Sequence, residues 1–261
     1  MSDLVAKDLC VNLQDARIVQ DVSCTVRAGE IVGVVGSNGA GKSTLLKAMC
    51  GLIPAASGSV ALDDRKITEM TSIVRARTIA YLPQRHVLHW DLSLYQTVSL
   101  GRLPHVVGMD RLTQADRDAI RRAMETAEIS GFAERQVGTL SGGELARGML
   151  ARALAVEAPF LFADEPIAAL DPYHALHIMQ LLRELARSGR TVVVVLHDLT
   201  LALRFCDRLL LMQGGRVVAE GSPQEVLAPV RLEAAYRVQA EYGLRDGEPY
   251  IVPWRRLDGL H

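Results

Sequence analysis

The sequence predicts an α/β fold centred on a mainly parallel β-sheet. Residues 31–35, 160–163 and 192–196 are short, unbroken apolar runs, as expected of strands covered on both faces. Helical patterns over 43–49 and 172–187 alternate with them, and such alternation builds parallel sheets from strand–helix–strand units. A glycine-rich turn over 36–41 joins the first of these strands to the first helix.

Taken in order, residues 4–28 carry shorter alternating segments, which predict an antiparallel β lobe. The strand at 31–35, the glycine turn and the helix at 43–49 follow. Residues from about 87 to 157 read as a helical insertion between sheet strands. Within it, Thr113-Gln114-Ala115-Asp116 resembles a capping box opening an amphipathic stretch that runs to about Glu128. After the strand at 160–163, the helix at 172–187 begins with Pro172, a permitted first-turn position. Residues 208–212 and 216–220 flank Gln213-Gly214-Gly215 and predict a hairpin. From Ser222 onward the helical signals are weak and the chain ends in a polar stretch. There is no internal repeat and no low-complexity segment.

Composition narrows the function classes. The chain has 261 residues, 49% of them hydrophobic, and a formal net charge of −1. That length suits one substantial core with a smaller appended lobe. Near-neutral charge offers no electrostatic case for a nucleic-acid partner. The four cysteines, Cys10, Cys24, Cys50 and Cys206, form no CxxC pair and read as small buried hydrophobes in a reducing compartment. No basic segment followed by an apolar one opens the sequence, so no signal peptide is visible. The apolar runs are far shorter than the roughly 20 residues that span a bilayer. The expectation is a chain soluble by itself, with any membrane role supplied through a partner.

The chemistry-bearing residues fall at strand ends and helix starts. Gly36-Ser37-Asn38-Gly39-Ala40-Gly41-Lys42-Ser43, followed by Thr44, fits the phosphate-loop pattern at every fixed position, with a buried strand before and a helix after. Its glycines let successive backbone N–H groups point at phosphate oxygens, and the helix start adds partial positive charge. Lys42 is expected to reach the β- and γ-phosphates, and the Ser43 hydroxyl to ligate Mg²⁺. Asp164-Glu165 closes the strand at 160–163, and ligands gather at the carboxyl ends of parallel strands. Asp164 fits the Mg²⁺-associated carboxylate, and Glu165 is placed to orient or deprotonate an attacking water. His197 directly follows the strand at 192–196 and suits a hydrogen bond to the γ-phosphate. Gln84, just past Ile79-Ala80-Tyr81-Leu82-Pro83, is a neutral amide able to touch metal and water while its loop moves. Leu140-Ser141-Gly142-Gly143-Glu144 combines a helix capping box with exposed glycines, which is itself an anion site.

These motifs, in this order, resemble the nucleotide-binding subunit of an ABC transporter over roughly residues 2–228. The Walker A loop is at 36–44, the Q-loop at Gln84, the signature at 140–144, Walker B at 160–164 with Glu165 after it, the D-loop at Ala168-Ala169-Leu170-Asp171 and the switch histidine at His197. The resemblance implies an ABC ATPase fold: a single domain over 1–228, a helical subdomain at about 87–157 and a tail over 229–261. It implies ATP and Mg²⁺ as ligands, with Gln84, Glu165 and His197 catalytic and Asp171 near the nucleotide. It also implies two such subunits stacked head to tail, each ATP lying between one Walker A loop and the partner's Ser141, Gly142 and Gly143. Polytopic permease subunits and, indirectly, a solute-binding protein complete the implied machine, which places the chain peripherally at the cytoplasmic face of the inner membrane.

A narrower resemblance is to ATPases of importers of ferric siderophores, haem and cobalamin, carried by Leu100-Gly101-Arg102-Leu103-Pro104-His105, Leu196-His197-Asp198-Leu199 and Gly221-Ser222-Pro223-Gln224-Glu225-Val226. Molybdate importers share some of these features. Soluble ABC ATPases acting on nucleic acid or ribosomes, and simple phosphate-loop kinases, are the rival classes. Several positions depart from the family pattern. Leu13 stands where many members carry an adenine-stacking aromatic, Glu144 where glutamine is commoner, Leu145-Ala146-Arg147 where the run is more polar, and Ile167-Ala168-Ala169 where hydroxyl residues are usual. His86-x-x-His89 and His174-x-x-His177 could each present two imidazoles on one face, a pattern better suited to surface or packing roles than to a metal. His86 and His89 also fall where the family grips its membrane subunit.

Overall fold

The computed structural model describes residues 3–84, 91–106, 112–168 and 170–257. The chain divides into two compact units, Met1–Glu69 with Val193–His261, and Met70–Val192. His86, His89 and Ala169 lie outside the described residues.

The first unit opens with β1 (Leu4–Leu13), β2 (Ala16–Val26), β3 (Ile31–Gly36), α1 (Lys42–Met49), β4 (Ser57–Leu62) and β5 (Arg65–Lys66). Strands β2-β1-β4-β5 form a sheet in that order, with β1 antiparallel to both β2 and β4, so the expected antiparallel lobe is present. The second unit holds α2 (Ser72–Thr78), β6 (Ile79–Leu82), α3 (Leu94–Ser99), α4 (Gln114–Thr126), α5 (Gly142–Ala155), β7 (Phe160–Asp164) and α6 (Pro172–Arg187). The division falls within β8 (Thr191–Val195). The first unit then resumes with α7 (Leu199–Phe205), β9 (Arg208–Gln213), β10 (Arg216–Gly221), α8 (Pro223–Val226), α9 (Pro229–Tyr236), β11 (Val238–Arg245) and β12 (Glu248–Arg256).

The parallel strands are where the apolar runs predicted them. In the first unit the order is β10-β9-β3-β8, with β3 parallel to β9 and β9 antiparallel to β10. In the second unit β6 runs parallel to β7. Every residue of β3, β7 and β8 is buried, which is why these strands read as unbroken hydrophobic runs. In the first unit, Leu4, Leu9, Ile31, Leu45, Leu46 and Met49 are fully buried.

In the second unit α3 and α4 pack on α5, burying Leu94, Ile120 and Met149. Helix starts are set chemically: Ser93, Thr113 and Ser141 form capping boxes for α3, α4 and α5, and Asp171 caps α6 with Pro172 behind it. The segment 100–105 is a docking turn. A Cβ on Gly101 would lie 2.3 Å from the Arg152 carbonyl, so only glycine fits. Arg102 is buried and donates to Asp116 Oδ1 at 2.9 Å, to Glu157 Oε2 at 3.0 Å and to the Ala155 carbonyl at 2.8 Å. Hydrogen bonding from the Thr113 hydroxyl and backbone, with Arg102 adding to it, pulls the Asp116 carboxyl down to about 2.

The weak helical signals past Ser222 correspond to α8 and α9, and the polar stretch beyond them folds into the antiparallel hairpin of β11 and β12, which the sequence reading did not foresee. Ile251 is buried, and Thr200 Oγ1 on α7 donates to its carbonyl at 2.7 Å while its own N–H donates back at 3.1 Å. Trp254, whose role the sequence left open between packing and an interface, is 61% exposed.

Candidate functional site

In the first unit the phosphate loop leaves a wholly buried strand and enters α1, whose cap residue Gly41 is left-handed with no side-chain cap. The first-turn N–H groups of α1 therefore face outward without a competing oxygen from the cap. Gly36 is required by close approach: its φ is +147° and a Cβ would fall 2.2 Å from the Met212 carbonyl. Gly41, at φ +96°, would put a Cβ 2.8 Å from the Ile18 carbonyl. The loop is braced from behind, since Gly215 N–H donates to Ala40 O at 3.2 Å and Gln20 N–H to Gly215 O at 2.8 Å. Lys42 is buried and its Nζ donates to Gly36 O at 2.8 Å and Ser37 O at 3.0 Å, so its charge sits within the curl of the loop. Asn38 and Gly39 are exposed, Ala40 is buried, and Ser37, Ser43 and Thr44 are half-buried.

His197 is brought alongside this loop by backbone pairing. The preceding Leu196 N–H donates to Val34 O at 3.1 Å, so the two strands end in register. His197 itself is exposed. Asp198 accepts from Leu201 N–H at 2.8 Å and caps α7, which fixes the turn carrying the imidazole. Leu13 lies 44% exposed at the end of β1.

In the second unit β7 ends at Asp164, which is buried and accepts from Tyr81 Oη at 3.1 Å. Its neighbour Glu165 has φ +51°, a left-handed conformation that costs a non-glycine residue roughly 1–3 kcal/mol and is retained where surroundings impose it. Gln84 Nε2 donates to Glu165 Oε2 at 2.5 Å. The β6–β7 register, Leu82 opposite Ala163, delivers Gln84 and Glu165 to the same sheet end. Tyr81 was not singled out in the sequence; its place in Ile79–Leu82 shows only that it lies in a strand, not which carboxylate it meets.

Ser141 begins α5. Its N–H donates to Glu144 Oε2 at 2.7 Å and its Oγ accepts from Glu144 N–H at 3.3 Å. That backbone donor, with Arg135 adding to it, holds the Glu144 carboxyl below the usual carboxylate range. Ser141 and Gly142 are exposed and Gly143 is half-buried. A Cβ on Gly142 would meet nothing within 4 Å, and one on Gly143 would meet only Leu170 Cδ2 at an ordinary 3.7 Å. Asp171 accepts from His174 N–H at 3.0 Å and pairs with His174 Nδ1 at 2.7 Å; the His174 N–H is the main reason its carboxyl is held low. His177 Nε2 lies 3.6 Å from Glu128 Oε2. Among the described residues, no group of three His, Cys, Asp or Glu side chains is arranged to hold a metal.

The Ser43 hydroxyl in the first unit, and the Asp164 carboxylate and Gln84 amide oxygen in the second, are each hard oxygen donors of the kind Mg²⁺ takes together with water and phosphate. No helix among the described residues is long and apolar enough to cross a membrane.

Residues 19–168 match the model of the family described as ABC transporter. The hemin import ATP-binding protein HmuV of Streptomyces coelicolor is 43% identical over 252 residues, 96% of this chain and 89% of that protein. The cobalamin import ATP-binding protein BtuD of Halobacterium salinarum is 42% identical over 236 residues, 90% of this chain, although the chain spans only 59% of that relative's length. Among solved structures, an ABC transporter of the metal-chelate type in an inward-facing conformation shares the fold with a TM-score of 0.85 at 23% identity, covering 98% of each chain.

Proposed function

This chain belongs to the ABC transporter family, and from that premise we propose that it is the ATP-binding and ATP-hydrolysing subunit of an importer for a metal chelate such as haem, cobalamin or a ferric siderophore. The observation that carries the reading is the helix start at Ser141. Glycine in a helix costs up to about 1 kcal/mol relative to alanine, yet among the described residues no atom comes within 4 Å of a Cβ placed on Gly142. The return for that cost lies outside the chain: the open N–H groups and the Ser141 hydroxyl receive the γ-phosphate of an ATP held by the phosphate loop of a second copy.

In this reading the loop N–H groups from Gly36 to Ser43 and the Lys42 ammonium hold the phosphates, with Thr44 at the next turn of α1. Mg²⁺ would be held by Ser43, Asp164 and Gln84, where it would neutralise developing phosphate charge. Glu165 and His197 orient a water for in-line attack on the γ-phosphorus. The new bond forms from water oxygen to phosphorus, the bond to the β,γ-bridging oxygen breaks, and Glu165 accepts the water's proton. ADP and inorganic phosphate result. Asp171, fixed as the cap of α6, positions the stretch that runs from Glu165 into that helix. Binding closes the pair because each γ-phosphate joins groups from both copies; hydrolysis reopens it, and the Gln84 segment transmits the movement to permease subunits at the cytoplasmic face of the membrane. A solute-binding protein delivers the cargo on the other side.

The test is Glu165→Gln. It is expected to bind Mg·ATP, to accumulate as a dimer in size-exclusion chromatography with ATP, and to lose at least 100-fold in kcat, a typical loss when a positioned acid–base group is removed. Wild-type turnover by this variant would overturn the assignment. Co-expression with a neighbouring permease and recovery of one membrane complex would support the transport role, whereas salt-sensitive nucleic-acid binding by the isolated chain would favour the soluble class.

A further inference from the structure

The start of α5 already carries a negative charge. Glu144 closes the capping box: its Oε2 accepts from the Ser141 N–H at 2.7 Å, and its own N–H donates to Ser141 Oγ at 3.3 Å. That box leaves the Gly142 and Gly143 N–H groups, which have no intrahelical acceptor, and the Ser141 O–H as donors for an incoming anion. The Glu144 carboxyl is held below its usual range by the Ser141 N–H, with Arg135 and then Arg147 adding to it. As a carboxylate it draws on the same partial positive charge of the helix start that a phosphate would use. Its other oxygen, Oε1, accepts from Arg135 Nη1 at 3.4 Å. A glutamine at this position could close the same capping box, but it would turn an NH2 group, a donor, toward the guanidinium. Arg135 is itself held on every side. Its Nη2 donates to the Thr139 carbonyl at 2.5 Å, and its guanidinium lies 5.2 Å from the centre of the Phe132 ring. Its backbone carbonyl accepts from Leu94 N–H at 2.9 Å, and a bond from Tyr95 N–H to Ala133 O at 2.8 Å ties the same segment to the start of α3. An exposed ion pair adds little to stability, so the placing of this exposed arginine calls for a reason other than folding.

We propose that Arg135 is a positioning residue of the two-copy ATP site: it offsets the charge of Glu144, so that the start of α5 stays attractive to the γ-phosphate of an ATP held by the other copy. The proposal rests on the two-copy ATP reading above. Without Arg135, the carboxylate would meet the approaching phosphate with only the weaker pull of Arg147 to offset it, and two anions would compete for one helix start. Arg135 touches no reacting atom; it acts through Glu144.

The experiment is a double-mutant cycle in the full-length chain. Each variant is combined with Glu165→Gln, and the Mg·ATP concentration that gives half-maximal dimer is read by light scattering. Arg135→Gln is expected to raise that concentration about five- to tenfold, the factor that one uncompensated charge near a protein surface confers at short range. In the Glu144→Gln background the same replacement should change it by less than about twofold, because no charge is left to offset. With Glu165 intact, Arg135→Gln should raise the KM for ATP by a similar factor while kcat at saturating ATP stays within about twofold of wild type, since the reacting groups are untouched. An equal rise in both backgrounds would overturn the proposal, marking an arginine that only holds the 132–139 turn in shape. So would no rise in either background, or an unchanged KM. If the Glu165→Gln chain itself forms no ATP-dependent dimer, the two-copy reading fails first and this inference with it.

Discussion

Replacing Arg102 by methionine tests the account of the helical unit quantitatively. Methionine keeps much of the stem's volume and removes the charge and all donors. Asp116 Oδ2 would keep both Thr113 donors, at 2.9 and 2.6 Å, but Oδ1 would lose its 2.9 Å bond while remaining buried. Glu157 would keep Arg122 at 2.8 Å and is 37% exposed, so water can replace what it loses. The Ala155 carbonyl, at the end of α5, would lose its donor in a buried setting. Removing one partner of a fully buried pair destabilises by about 3–5 kcal/mol; the surviving Thr113 bonds place this case near the lower end, about 3 kcal/mol. At roughly 2–4 °C per kcal/mol for a chain of this size, the Tm should fall by about 6–12 °C in differential scanning calorimetry. The double variant Arg102→Met, Asp116→Asn should fall by less than the two single losses combined, because the orphaned charge is gone. A Tm loss under about 2 °C for Arg102→Met would refute the reasoning, since no relaxation of a buried, half-satisfied carboxylate is that inexpensive.

Other outcomes follow from the same geometry. Gly142→Ala has room for its methyl group, so the variant should fold with Tm unchanged within about 2 °C yet lose most ATP-driven dimerisation, measured by light scattering; a loss of Tm instead would return the glycine to ordinary packing. Gly36→Ala should be poorly folded, because its Cβ meets the Met212 carbonyl at 2.2 Å in a backbone conformation hostile to side chains, and limited proteolysis would detect the loosened loop. Asp116 contributes stability present above its unfolded pKa of 3.8 and lost as pH falls through about 2. Wild type should therefore lose more stability to chemical denaturant between pH 4 and pH 2 than Asp116→Asn, and parallel pH profiles would contradict it.

The sheet and the phosphate loop were legible because buried parallel strands leave continuous apolar runs and because a glycine-bearing anion loop has a fixed spacing. The starts of α4 and α5 were legible through the capping residues at Thr113 and Ser141. The hairpin of the tail was not read from the sequence, for a nameable reason. Pro249 and Pro253 interrupt β12 and weaken its alternation, but Asp246-Gly247 was the available signal: both residues have positive φ, 53° and 80°, as a two-residue hairpin turn requires. The segment at 100–105 illustrates a different limit. It marks a narrower group of transporters, yet here it explains itself by packing, with Gly101 and Arg102 seating a turn on the end of α5. The pairing of Tyr81 with Asp164 had no local signature at all. It joins residues far apart in the chain, and only the fold decides that they meet.

The bracing of the phosphate loop sets an order on the birth of the protein. Every fixed residue of the loop has been synthesised by Ser43, yet the groups that hold it come much later: Leu196 on Val34, Asp207 on Ile31, Met212 against Gly36 and Gly215 on Ala40. At about 5–20 residues per second of synthesis, the ribosome needs on the order of ten to thirty seconds to pass from the motif to its last brace. A nascent chain throughout that interval carries a complete nucleotide motif without the walls that shape it. Competence to take up nucleotide is thus deferred until some four-fifths of the chain has been made, and a chain truncated before Gly215 should carry the motif and yet fail to hold ATP.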